Sequence, residues 1–129
     1  MLQMKFDDHE QERPFWVGSN NAVLNTPFPG IQIKAFANKH SKIGVFLSGP
    51  AGPLSVKPIR KLIERDLTSL KRQLPAGTEI DAKASWPIAL YSAEFQSADD
   101  KRAWLMKMLN EFVTVLRPRL KKWKAELGG

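Results

Sequence analysis

The strongest constraint on how this chain can fold is an apolar stripe near its end. Leu105, Met108, Leu109, Phe112, Val113, Leu116, Leu120 and Trp123 recur at steps of three and four, which places them on one face of an α-helix. Ser97 stands at the expected N-cap, and Asp99 and Asp100 suit the first turn because they oppose the helix dipole. Pro118 lacks an amide hydrogen and crowds the carbonyl of Thr114. The stripe nevertheless continues past it, which predicts a kinked helix rather than a stop. A long helix with one apolar face must bury that face on another layer.

The rest of the chain supplies that layer. Ile59, Leu62, Ile63, Leu67, Leu70 and Leu74 form a second helical stripe, opened by Pro58 and ended by Pro75 and Gly77. Residues 31–37 and 42–48 alternate as strands and are joined by the turn 38–41, which predicts a hairpin. Residues 79–83 and 88–94 read as a second hairpin, turning near Ser85, Trp86 and Pro87. A short edge strand is expected at Phe15 to Val17, followed by a loop from Gly18 to Asn21, with Pro27, Pro29 and Gly30 closing the stretch. The expected fold class is α+β: a mainly antiparallel sheet with two helices on one face, in the order β-ββ-α-ββ-α. Leu67 and Phe112 are expected to be buried where the helices meet the sheet. Residues 15–127 read as one domain, and residues 1–14 as an acidic, flexible leader.

Composition narrows the classes of function. With no cysteine there are neither disulfides nor thiolate metal sites. No apolar run approaches the roughly 20 residues of a membrane span, so no membrane partner is expected. The opening "MLQMKFDDHEQER" has no apolar core, unlike a secretory signal. A cytoplasmic location is the default. The net charge is +7, and it is unevenly spread. Residues 30–75 carry nine bases against two acids and residues 101–129 eight against two, whereas residues 1–13 and 76–100 are net acidic. Such concentration favours an anionic partner.

Two lines of bases are the candidate nucleic-acid contacts. Lys57, Lys61, Arg65 and Arg72 fall at intervals of four, four and seven along the first helix. Arg117, Lys121 and Lys124 form a second line, with Arg119 and Lys122 beside it. Flexible charges of this kind contact phosphates and supply affinity without reading sequence. A solvated helix face is the competing reading of each residue, and Glu64, Asp66 and Glu111 interrupt the positive surface. Trp16 and Trp104 read as core residues rather than stacking platforms.

Catalytic signatures are weak. Asp81-Ala82-Lys83 on a strand, with Glu79 on the same face, is the pattern by which restriction-type nucleases hold a divalent metal. In a chain of this composition about one acid-x-Lys triplet arises by chance. The sequence repeats the pattern at Asp99-Asp100-Lys101, and the strand at 43–48 offers no further acid. His9 and His40 lack partners at ligand spacing and read as surface residues. "SGPAGP" lacks the Gly-Lys-Ser/Thr of a phosphate loop, and no Gly-x-Ser-x-Gly elbow is present. No cofactor is expected, and the chain reads as a non-enzyme.

Taken together, "FWVGSNNAVLN", "KIGVFLSG", "IRKLIERDLTSLKRQL", "PIALYSAEF" and "WLMKMLNEFVTVLRPRL" resemble an uncharacterised bacterial domain family. That family's domain commonly ends larger proteins, some with a restriction-endonuclease-like domain ahead of it. The resemblance covers residues 15 to 123, through loose motifs such as Trp16-Val17-Gly18-Ser19 and Leu116-Arg117-Pro118-Arg119. The residues before it are too few to hold a nuclease domain. The resemblance implies a non-catalytic accessory module in a DNA-directed or defence context, and it transfers no catalytic residue. The leading expectation is therefore a small basic module that contacts nucleic acid phosphates. A protein-interaction or homodimerisation module, using the exposed side of the sheet or Trp123, is the alternative. A cryptic metal-dependent nuclease stands third.

Overall fold

The structure, a computed structural model, describes residues 15–17, 21–37, 43–50, 52–92 and 98–128. The leader 1–14, the turn at 38–41 with His40, Glu94 and the cap at Ser97 lie outside these residues, as does the side chain of Trp16. The strands are β1 (Phe15–Val17), β2 (Asn21–Asn25), β3 (Gln32–Ala37), β4 (Ile43–Ser48), β5 (Glu79–Ile80) and β6 (Ile88–Ser92). The helices are α1 (Arg60–Arg65), α2 (Leu67–Gln73) and α3 (Ala98–Glu126), with a 3-10 segment at Gly52–Ile59 leading into α1. All six strands join one antiparallel sheet in the order β1-β2-β3-β4-β6-β5. The α+β class is as expected. Among the described residues, no helix is long and apolar enough to cross a membrane.

β2 corrects the expected order, because a strand that was not expected starts at Asn21, where the expected loop ends, and runs to Asn25. Its flanking asparagines disfavour strands, but Ala22 and Leu24 alternate inward and pair opposite Ala35 and Ile33 of β3. Thr26 builds the turn that follows. Its hydroxyl donates to the Ile31 carbonyl (2.7 Å) and accepts the Phe28 amide (3.2 Å). Gly30 completes the turn at φ +83°, a conformation costly for residues with a Cβ.

The β3–β4 hairpin has the expected pairing, with Ile33 opposite Leu47 and Ala35 opposite Val45 on the core face. Leu90 of β6 sits beside Val45 in the same layer. The second hairpin is shorter than expected, since β5 stops at Ile80 and residues 81–87 form a turn.

One core joins this sheet face to both helical stripes. α3 runs through Pro118, and Phe112, Leu116, Leu120 and Trp123 are fully buried along it. The first helix is less regular. The bonds from the Asp66 amide to the Leu62 carbonyl (2.9 Å) and from the Leu70 amide to the Asp66 carbonyl (3.0 Å) survive, but Asp66 itself, at φ −98° and ψ 14°, separates α1 from α2. Leu67 is only half-buried, which corrects the expected core. Residues advance by about 100° in an α-helix. Ile59, Ile63, Leu70 and Leu74 then share one face, with Asp66 and Leu67 at its two margins.

Candidate nucleic-acid interface

An acid at the margin of a buried apolar face needs partners, because an unpaired buried carboxylate is costly. Asp66 finds three. Trp123 donates its indole N–H to Asp66 Oδ2 (2.8 Å), Arg119 Nη1 lies 3.4 Å from the same oxygen, and Arg65 Nε donates to Oδ1 (2.9 Å). The side chains of Asp66 and Arg119 are each 14% exposed. The hydrogen bond from Arg65, then those of Trp123 and the charge of Arg119, hold the Asp66 carboxyl well below the usual carboxylate range, against the opposing pull of burial.

The same cluster sets α3 beside the first helix. Arg119 Nη2 donates to Ser69 Oγ (2.9 Å) and Gln73 Oε1 (2.8 Å), and Arg65 Nη2 reaches Glu126 Oε2 (3.0 Å). Residue 119 therefore faces 69–73, residue 123 faces 66, and residue 126 faces 65. The C-terminal half of α3 runs antiparallel to α1 and α2. Two basic stretches far apart in sequence become neighbours.

This arrangement divides the nine candidate bases. Arg119 is not a free flank of the surface, because its guanidinium ties the two helices together. Arg65 stays half-exposed but shares its charge with Asp66 and Glu126. Arg117 and Lys124 are only partly exposed, on the side of α3 away from the first helix. Lys57, Lys61, Arg72, Lys121 and Lys122 are exposed, and no described residue pairs with them. At about 100° per residue, Lys121 points outward on the side of α3 that carries Arg117 and Lys124. Lys122 points toward the first helix, on the side shared by Arg119 and Glu126. Asp66 and Trp123 are the residues that sequence reasoning missed as determinants of the surface. Their signal was the acid within an apolar stripe.

The opposite face of the sheet has a different chemistry. Phe36, Phe46 and Tyr91 alternate outward from β3, β4 and β6, and Trp86 reaches them from the 81–87 turn. Ring centroids lie 6.1 Å apart for Phe36–Phe46, 6.2 Å for Phe36–Tyr91 and 5.0 Å for Phe46–Trp86, all tilted. Gly44 makes room for this row. A Cβ there would meet the Phe36 ring and lie 2.8 Å from Tyr91 Cδ1. Burial, and then the Glu79 carboxylate, push the Tyr91 phenol up. Trp86 is 46% exposed.

The acid-x-Lys pattern takes on a structural role. Asp81 Oδ1 accepts the Lys83 amide (3.0 Å), and the Asp81 carbonyl accepts the Ala84 amide (3.0 Å). Arg60 Nη1 donates to the carbonyls of Ala82 and Ala84, 2.6 Å each. The triplet thus lies in a turn and not on the strand that the nuclease reading requires. Among the described residues, no group of three or more His, Cys, Asp or Glu could hold a metal ion. Neither a family model, nor a curated protein, nor a solved structure matches the chain.

Proposed function

We propose that this protein is a small non-catalytic binding module whose helix layer contacts the phosphates of nucleic acid. The observation that carries the reading is the antiparallel seam at Asp66. It brings the helix carrying exposed Lys61 and Arg72 alongside the half of α3 that carries exposed Lys121 and Lys122, while nearby Asp66 and Glu126 are engaged by Arg65 and Arg119. On the resemblance described above, the setting is DNA-directed or defence. The test is the variant Lys61→Gln/Arg72→Gln/Lys121→Gln/Lys122→Gln, with binding to a labelled duplex followed by fluorescence anisotropy. Each base lost from a phosphate contact should lower the slope of log affinity against log salt by about 0.9. A variant that binds like the parent at low salt sinks the reading.

A second reading, protein interaction or homodimerisation, is favoured by the aromatic row with half-exposed Trp86 at its end. Trp123, fully buried, takes no part in it. Apolar association through the row would be insensitive to salt, and sedimentation of Trp86→Ser would show its loss.

A further inference from the structure

We infer that the basic helix layer takes double-stranded nucleic acid through its backbone alone, in preference to single strands and without reading base sequence. This rests on the phosphate-contact reading above and names its substrate class. The carrying observation is how the aromatic side chains are segregated. Phe112 and Trp123 are fully buried beneath the helices. Phe36, Phe46, Tyr91 and Trp86 all belong to the opposite face of the sheet. Phe28 and Trp104 are partly buried against the core, and Trp104 lies 17 residues before Lys121 on α3, or about 25 Å along the helix axis. Among the described residues, no ring is exposed beside the five unpaired bases.

Single-strand binders combine a basic groove with rings on which successive bases stack. Among the described residues those two elements are on opposite sides of the sheet, so one strand cannot use both together. The described residues of the helix side then offer a field of flexible point charges, and such a field favours the denser array of phosphates. A duplex carries one charge per roughly 1.7 Å of axis, about twice the density of one strand. The distance from Lys61 to Arg72, about 16 Å of helix, spans roughly ten duplex phosphates but only about five of one strand. Contacts of this kind position a protein on a duplex and carry no sequence information.

The test uses the full chain, labelled duplexes of two unrelated sequences, and their separated strands, with anisotropy read over a salt series. Both duplexes should bind alike, and more tightly than any separated strand. Five contacts limit the log–log salt slope to about −4.5 on duplex and about −3.5 on single strands. The Lys61→Gln/Arg72→Gln/Lys121→Gln/Lys122→Gln variant should lose most of this binding, while Trp86→Ala should leave it unchanged. Single strands binding as tightly as duplex, a clear preference between the two duplexes, or weakened binding by Trp86→Ala would overturn the inference and leave nucleic-acid binding standing. Absence of salt-sensitive binding to either form would remove both the inference and the reading beneath it.

Discussion

At the scale of single residues, Asp66 governs more than its exposure suggests. Its carboxylate accepts from Trp123 and faces Arg119 across the helix seam. Asp66→Ala should therefore cost about 2–4 kcal/mol by denaturant titration, because a partly buried charged network loses its centre. The pH dependence has a definite sign. Pairing lowers the folded-state pKa of this carboxyl, so its stabilisation is complete above the ordinary carboxylate value of about 3.9. It is lost as the pH falls below that value toward the depressed one. The parent's urea midpoint should drop on acidification through this window, and Asp66→Asn should show a shallower drop; equal drops would mean the pairing is not formed. The sequence made Asp66 readable as an acid within a stripe of leucines and isoleucines. It could not show which residue of a helix more than 50 positions away would answer it.

Elements were legible where periodicity was long and misread where local chemistry overrode it. The α3 stripe was evident through Pro118 because eight apolar residues agree on one face. β2 was obscured because asparagines flank Ala22 and Leu24, whose burial depends on β3 lying alongside. The second hairpin was overextended because nothing in "TEIDAKA" announces that Arg60 will hold residues 82 and 84 in a turn. Leu67 lies at the margin of its helical face and is only half-buried. Leu70→Ala should accordingly cost about 2–5 kcal/mol, and Leu67→Ala less than half as much, measured in the same titration. Equal costs would put Leu67 back in the core. On the other sheet face, Gly44→Ala should cost about 1–3 kcal/mol by displacing the rings of Phe36 and Tyr91. A neutral effect would mean the rings can tilt away freely.

For the whole molecule, the charge that would attract phosphates also repels itself. With a net charge of +7, a surface of neighbouring bases should weaken the folded state slightly at low ionic strength. Thermal melting of the parent should rise modestly with added salt. The Lys61→Gln/Arg72→Gln/Lys121→Gln/Lys122→Gln variant should melt at or above the parent temperature and respond less to salt; a lower melting point would mean these bases stabilise the fold. The separation of a basic side from an aromatic side was not legible beforehand, since it depends on the register that turns Phe36, Phe46 and Tyr91 together. The sheet's borders carry a further consequence. Its outermost strands are its shortest, three residues in β1 and two in β5. Among the described residues, a neighbouring backbone seeking to extend the ladder would find only a few amide and carbonyl groups on either of these strands. Short rims of this kind protect a sheet against growing into fibres.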